Sequence, residues 1–167
     1  GHLPSYDVKG TEMTETATGV LAQLAASGQA VGIELDGVTK IYPGQSTPAV
    51  EDFTMSIAPG ELVMFVGPSG CGKTTTMKMI NRIIEPTSGS IRIDGHDVLS
   101  LDPNELRRHI GYVIQQIGLF PHLTVAANIG IVPKLLGWSK ARIAERVDEL
   151  LHTVQLDPAV FARRYPR

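Results

Sequence analysis

One short stretch constrains this chain more than any other. Residues 67–74 read Gly-Pro-Ser-Gly-Cys-Gly-Lys-Thr and fit the pattern G-x-x-x-x-G-K-[ST] in full. An apolar run, residues 62–66, precedes the stretch, and residues with helical spacing follow it. A glycine-rich loop between a strand and a helix is an arrangement that binds nucleotide phosphates. The sequence therefore predicts an α/β fold built around a phosphate-binding loop.

The glycines of this loop explain its spacing. Gly67, Gly70 and Gly72 give the backbone access to conformations that a Cβ atom would disfavour. Successive N–H groups can then point into one concavity around a phosphate. The helix that follows adds the positive end of its dipole beneath the same anion. We expect these three glycines to be part of the nucleotide site.

The polar side chains of the loop have separate expected roles. Lys73 is placed to reach the β- and γ-phosphates, which makes it both a binding and a catalytic candidate. The hydroxyl of Thr74 is placed to ligate Mg²⁺. Ser69 and Thr75 are further candidate phosphate contacts. Cys71 belongs to the loop as a small residue rather than as a redox sensor.

The apolar pattern predicts two kinds of sheet. Three segments alternate apolar and polar residues, as half-buried antiparallel strands do: residues 31–35, 53–57 and 90–93. Two segments are apolar runs, as expected for strands covered on both faces in a parallel sheet: residues 62–66 and 110–114. We therefore predict an antiparallel part and a parallel part.

The remaining segments predict helices. One helix is expected to start at Lys73 and to stop before Pro86. A second helix is expected after Asp102, which is followed by proline and, three residues on, by glutamate. Beyond Leu123 the pattern is helical throughout, and Asp157 opens a last helix. The apolar positions of the longest helix are Ile143, Val147, Leu150, Leu151 and Val154.

Composition excludes several classes of protein. The 167 residues include 15 basic and 17 acidic side chains, so no cationic field favours a nucleic-acid partner. The single cysteine cannot form an internal disulfide. The longest apolar run, residues 62–66, is far below the roughly 20 residues of a membrane span. Residues 1–30 are expected to be a tag remnant and a flexible leader.

Three motifs in this order resemble the ATP-binding subunit of ATP-binding-cassette transporters. They are Val-Thr-Lys-Ile-Tyr at residues 38–42, the phosphate loop, and residues 110–122, which end in Leu-Phe-Pro-His. The resemblance implies ATP and Mg²⁺ as cofactors. It also implies a RecA-like P-loop core with an antiparallel β subdomain over residues 31–122, and the start of an α-helical subdomain over residues 123–167.

A narrower resemblance concerns the transported solute. Residues 113–122, 131–133 and 138–140 are similar to the corresponding segments of importers of quaternary-amine osmoprotectants such as glycine betaine, choline or carnitine. The resemblance implies a transmembrane permease and a second copy of the ATPase subunit as partners, and indirectly an extracytoplasmic solute-binding protein. It places the protein peripherally on the cytoplasmic face of the cell membrane.

The resemblance also assigns individual residues. Tyr42 matches the aromatic residue that stacks on adenine, although a tyrosine could simply end a strand here. Gln115 matches the glutamine that approaches Mg²⁺ and the attacking water, although it could be a polar strand cap. Phe120, Pro121 and His122 match the groove that receives the coupling helix of the permease. For His122 taken alone, a purely structural role stays open.

One departure from the family is as informative as the match. The family's L-S-G-G-Q signature, its acidic strand and its switch histidine do not follow the phosphate loop in this sequence, which ends at Tyr165, Pro166 and Arg167. We expect the N-terminal portion of a cassette, truncated before the signature motif, which binds nucleotide with hydrolysis near background. The missing strand would pair with residues 62–66, so we also expect self-association through an unpaired edge.

Other functions stay open on the sequence alone. The chain could serve an importer of another solute, such as an amino acid or another small molecule. It could be a cassette ATPase without a transport role, as in DNA repair or on the ribosome, or another P-loop enzyme such as a nucleoside kinase. The kinase alternative leaves Tyr42 and Gln115 without a role. A purely structural domain would bind no ATP.

Overall fold

The computed structural model describes residues 30–114 and 118–166, which form two compact units. The first unit ends at Gly111 and the second begins at Tyr112, and each is described by itself. The predicted subdomain boundary between residues 122 and 123 stays a prediction. The predicted leader, residues 1–30, lies outside the described residues except for Ala30.

The first unit is organised by an antiparallel sheet in the order β2-β1-β3-β4. Leu35 of the central strand lies opposite Met55 on one side and Ile91 on the other, so three apolar side chains share a face. The three alternating segments of the sequence are strands, and that prediction is confirmed. The strands are β1 Ile33–Lys40, β2 Val50–Ile57, β3 Ser88–Ile93 and β4 His96–Asp97.

Two helices cover this sheet, α1 Lys73–Ile80 and α2 Pro103–Arg108. Their core contributions are Met79 and Leu106, which are buried with the apolar residues of β1 and β3. Helix α1 ends at Ile80, well before Pro86, because the chain turns at Arg82 with a left-handed φ of +50°. The phosphate loop leads directly into α1, and Gly72 at its end lies against Ala49 and Val50 at the start of β2.

The prediction of two buried parallel strands is wrong. Residues 62–66 and 110–114 have no regular secondary structure. Leu62, Met64 and Val66 are 89%, 78% and 87% exposed. A strand exists only with a hydrogen-bonded neighbour, and no strand among the described residues pairs with either run. Self-association through residues 62–66 stays a prediction.

The second unit is helical, as the sequence predicts. Its longest helix buries Val147 and Leu151, two of the five predicted apolar positions. The start of its first helix also forms backbone hydrogen bonds with the chain end, since the N–H of Val125 donates to Arg164 O at 2.8 Å. The helices are α3 Val125–Ile129, α4 Ile131–Leu135, α5 Lys140–Thr153 and α6 Pro158–Phe161.

Within residues 30–114 and 118–166, no helix has the length and apolarity that crossing a bilayer requires.

Candidate functional site

The phosphate-loop residues border one cavity of about 320 Å³ in the first unit. The cavity combines backbone N–H groups, three hydroxyls and one ammonium group, which is a donor set suited to an anion. The structure therefore brings six of the nine predicted nucleotide-binding residues to one cavity. The lining residues are Ser69, Gly70, Gly72, Lys73, Thr74 and Thr75.

Gly72 of the loop is required by its surroundings. It has a φ of +90°, and a Cβ there would lie 2.7 Å from the backbone oxygen of Ala49. Real Cβ atoms do not approach other atoms this closely, so a larger residue would displace the backbone of the loop. At Gly67 a Cβ would lie 2.7 Å from Cys71 Sγ, which is a side-chain atom that can move away. Cys71 is exposed, and its expected role as a small residue of the loop stays a prediction.

The residues at the amino-terminal end of α1 line the cavity. In any α-helix the first N–H groups have no acceptor within the helix. Here these groups belong to Lys73, Thr74 and Thr75, and Gly72 precedes them. Among the described residues, no side chain accepts a capping hydrogen bond at this end. An anion in the cavity would be the natural acceptor.

The ammonium group of Lys73 lies against the loop itself. It donates to Gly67 O at 2.7 Å and to Pro68 O at 2.6 Å, and it contacts Cys71 Sγ at 3.3 Å. A lysine has three N–H donors, and sulfur is the weakest of these acceptors. The bond to sulfur is therefore the easiest to exchange for a phosphate oxygen. Two carbonyl contacts would keep the ammonium in place during that exchange.

Tyr42 lies beside the same helical turn. Its hydroxyl is 3.3 Å from Thr75 Oγ1, a separation that allows a hydrogen bond in either direction. The Lys40 Nζ atom lies over the Tyr42 ring, 5.5 Å from its centroid. The sequence predicts no role for Lys40, although the residue belongs to the motif at residues 38–42. The predicted strand covers residues 31–35 and does not reach Lys40, and a sequence pattern cannot show what a side chain touches.

The remaining predicted site residues lie in or near the second unit. Gln115 lies outside the described residues. Phe120, Pro121 and His122 are exposed, and the rings of Phe120 and His122 meet edge to face with centroids 5.8 Å apart. An exposed pair of rings on a turn is a suitable contact for another protein.

The residue that holds this turn, Asn128, is not singled out by the sequence. Its carboxamide accepts from the N–H of Phe120 at 2.8 Å and donates to Phe120 O at 3.1 Å. It also donates to Leu123 O at 3.1 Å and to Thr124 O at 3.0 Å. A single side chain thus holds both ends of the turn. Asparagine within a helical pattern gives no signal of this role, because its partners depend on how the turn folds back.

Comparison with known proteins adds an independent result. The family described as "ABC transporter" matches residues 50–165. The "Glycine betaine/carnitine/choline transport ATP-binding protein OpuCA" of Bacillus subtilis is 56% identical over 134 residues, which are 80% of this chain and 35% of that protein. The "Osmoprotectant import ATP-binding protein OsmV" of Salmonella typhimurium is 50% identical over 138 residues, 81% of this chain and 36% of that protein.

The fold is also that of a solved cassette. A dimeric, post-hydrolysis ATP-binding cassette bound to ADP and Pi superposes with a TM-score of 0.70 at 33% identity. The match covers 80% of this chain and 61% of the solved one. The predicted fold class is confirmed by this likeness. The chain spans about a third of the length of the curated relatives described above.

Proposed function

Because this chain belongs to the ABC transporter family, we propose that it is the nucleotide-binding portion of the ATP-binding subunit of an osmoprotectant importer. In this proposal ATP binding and hydrolysis by the whole subunit drive import of a solute such as glycine betaine or choline. The names of the relatives at 56% and 50% identity support that solute class. The cassette of such a transporter does not itself contact the solute, so the solute follows from relatedness alone.

The observation that carries nucleotide binding is the amino-terminal end of α1. Its first N–H groups border the cavity, no described side chain caps them, and the Lys73 ammonium lies at the same place. We infer that the N–H groups of the loop and of this helix end bind the β-phosphate. Lys73 would contact the β- and γ-phosphates, while Ser69 and Thr75 would add hydroxyl contacts.

The residues present also fit a magnesium ion. Mg²⁺ prefers oxygen ligands and is usually bound through few protein groups together with phosphate oxygens. The exposed hydroxyl of Thr74 lines the cavity and supplies such an oxygen. Gln115 is the second proposed ligand. When bound, the ion would neutralise charge on the β- and γ-phosphates.

The base would stack on Tyr42. Its ring is tied to Thr75, which borders the phosphate cavity, so one side of the site would hold the base and the other the phosphates. An aromatic ring accepts any base, because every base has a π-face. Adenine selectivity therefore does not follow from this contact.

Catalysis would rest on charge and position. Lys73 would stabilise negative charge that develops on the γ-phosphate, and Gln115 would orient the attacking water. The acidic base and signature motif of the family do not follow the phosphate loop in these 167 residues. We therefore expect this chain to bind ATP and to turn it over near the background rate. Phosphate release that disappears in Lys73→Ala would contradict that expectation.

The exposed turn of the second unit is the proposed contact with the permease. Phe120, which is 51% exposed, and its neighbours Pro121 and His122 would contact the permease. A second copy of the subunit would complete the ATP sites, and a solute-binding protein would act through the permease. In this assembly the subunit is peripheral, on the cytoplasmic face of the membrane.

Calorimetric titration with Mg²⁺ and ATP tests the binding proposal. We expect saturable binding by the 167-residue chain and a loss of about 10- to 100-fold in affinity for Lys73→Ala, because a charged hydrogen-bond donor is removed. Lys134→Ala, which removes an exposed lysine of α4, is the matched control and should bind like the parent. Equal affinity of the Lys73 variant and the parent would refute the proposed site.

Uptake measurements test the transport proposal. Cells of the source organism that carry Lys73→Ala in this gene should lose uptake of labelled glycine betaine or choline at high salt. Loss of uptake of an amino acid instead would assign the subunit to another importer.

A further inference from the structure

The Tyr42 ring is held by two side chains that come from different elements. Thr75, in the first turn of α1, lies within hydrogen-bond distance of the Tyr42 hydroxyl, at 3.3 Å. Lys40, the last residue of β1, holds its ammonium group 5.5 Å from the ring centroid. This distance is within the roughly 6 Å over which a cation is attracted to an aromatic face.

The ammonium group of Lys40 is itself anchored. It donates to the backbone oxygen of Glu85 at 2.7 Å, and the Glu85 carboxylate is paired with Arg82 at 2.9 Å. The backbone between Lys40 and Tyr42 is also tied down, because the N–H of Ile41 donates to Thr87 Oγ1 at 3.0 Å. The cation over the ring is therefore held in one place rather than moving on a free side chain.

The two contacts constrain the ring differently. The bond to Thr75 ties the edge of the ring to the helical turn whose N–H groups border the phosphate cavity. It therefore sets the distance between the base and the phosphates. The ammonium group of Lys40 covers one face of the ring, so a base would have the opposite face.

We propose that Lys40 and Thr75 are positioning residues for the nucleobase. Lys40 covers one face of Tyr42 and Thr75 fixes its hydroxyl, so that the ring is oriented for stacking before the nucleotide binds. Pre-orienting the ring reduces the entropy that binding would otherwise lose. The proposal rests on the nucleotide-binding function proposed above, because it concerns the same site.

Two ligands distinguish a residue that positions the Tyr42 ring from one that contacts the phosphates. ATP carries a base, and inorganic tripolyphosphate carries only the phosphate chain. Lys40, which is proposed only to position Tyr42, should affect ATP alone, whereas a residue that contacts a phosphate, as Thr75 is also proposed to do, should affect both ligands. Each variant is therefore titrated with both ligands at the same Mg²⁺ concentration.

The first variants change Lys40. We expect Lys40→Met to lower the affinity for ATP about 2- to 5-fold, the range of an exposed cation–π contact, and to leave the affinity for tripolyphosphate unchanged. Lys40→Arg should restore ATP affinity, because a guanidinium group also stacks on an aromatic face. Lys134→Met is the matched control for loss of one positive charge and should change neither affinity.

A double-mutant cycle tests whether Lys40 acts through Tyr42. In a Tyr42→Ala background, Lys40→Met should cause no further loss of ATP affinity. Tyr42→Phe keeps the ring and removes the bond to Thr75, so it should also weaken ATP binding and spare tripolyphosphate. Thermal unfolding of each variant shows whether the fold is intact.

The outcomes are distinct. Equal losses for ATP and tripolyphosphate in Lys40→Met, or a loss that persists without Tyr42, would overturn the positioning role. Unchanged ATP affinity in both Lys40→Met and Tyr42→Phe would overturn it as well. A parent protein that binds neither ligand would instead refute the nucleotide site itself, and the positioning role with it.

Discussion

The helices of this molecule begin in two different ways. At the start of α2, the carboxylate of Asp102 accepts the N–H groups of Asn104 and Glu105, both at 2.9 Å. A side chain also caps each of α3, α5 and α6, namely Thr124, Ser139 and Asp157. Helix α1 begins at Lys73, and among the described residues no side chain caps it. Helix α4 has no side-chain cap either, but it follows α3 directly through Gly130.

The capped helix ends contribute to the stability of the fold, whereas the uncapped end of α1 is available for binding a ligand. A side-chain cap satisfies the first N–H groups of a helix and is worth about 0.5–2 kcal/mol of stability. Helix α1 lacks that contribution, yet its first turn borders the cavity with Lys73 and the loop hydroxyls. The donors that a side chain satisfies at the start of α2, α3, α5 and α6 are left for a ligand at the start of α1. The bound phosphate would then serve α1 as the cap.

Gly72→Ala should give the largest effect, because it alters the start of α1 itself. The methyl group would lie 2.7 Å from Ala49 O at a φ of +90°, so the backbone must shift. We expect the free energy of unfolding to fall by about 3–4 kcal/mol, and ATP binding to be lost. Urea unfolding and calorimetric titration measure the two quantities.

Gly137→Ala is the matched control for that variant. Gly137 has a φ of +74°, but a Cβ added there would meet no atom within 4 Å among the described residues, so only the backbone conformation is penalised. We expect a loss of about 1–2 kcal/mol with ATP affinity intact. If the two variants were equally stable, the close approach to Ala49 would not limit the loop.

Ligand binding should stabilise the protein as a cap would. With Mg²⁺ and ATP at about 100 times the dissociation constant, we expect the free energy of unfolding to rise by about 2.7 kcal/mol. Lys73→Ala at the same ligand concentration should gain much less, because its affinity is lower. Urea unfolding with and without nucleotide provides the measurement. Equal gains for both proteins would mean that the nucleotide binds elsewhere.

The capped helix ends are easier to predict from sequence than the contacts of the site. Asp102 is predictable as a cap, and Asp157 as the start of a helix, because both signals are local and each lies next to a proline. The glycine-rich loop is predictable for the same reason. The role of Lys40 is not, because its contact with the Glu85 backbone joins residues 45 positions apart.

The error at residues 62–66 has a related cause. The run is apolar, and this pattern predicts burial between two layers. An apolar segment gains stability if it is buried, but its own sequence does not show whether another segment lies next to it and covers it. No residue of the run is buried, and Val63 and Phe65 are half-buried. The ring of Phe65 meets that of Phe53 edge to face, with centroids 6.2 Å apart. Strand pairing is a property of two segments, and one segment cannot predict it.

Asn128→Ala tests the turn that precedes α3, which the side chain of Asn128 holds in place. The variant removes the bonds of Asn128 to Phe120, Leu123 and Thr124. We expect about 2 kcal/mol of local destabilisation, measured as faster hydrogen exchange of the Phe120 amide. Asn128→Asp keeps the acceptor for that amide but not the donors, so its exchange should be slower than in the alanine variant. ATP affinity should stay unchanged in both.

Asp102→Ala should give the smallest effect and is the most direct test of the comparison. Loss of the two N–H contacts should lower the free energy of unfolding by about 1 kcal/mol, because the first turn of α2 loses its cap. Asp102→Asn keeps an oxygen acceptor and should retain most of that stability. Tripolyphosphate should bind both variants as it binds the parent, since a cap that is made internally has no part in binding the ligand. Asp102→Ala could instead weaken tripolyphosphate binding in proportion to its loss of stability. In that case the cap of α2 would contribute to ligand binding, and the distinction between capped and uncapped helix ends would be wrong.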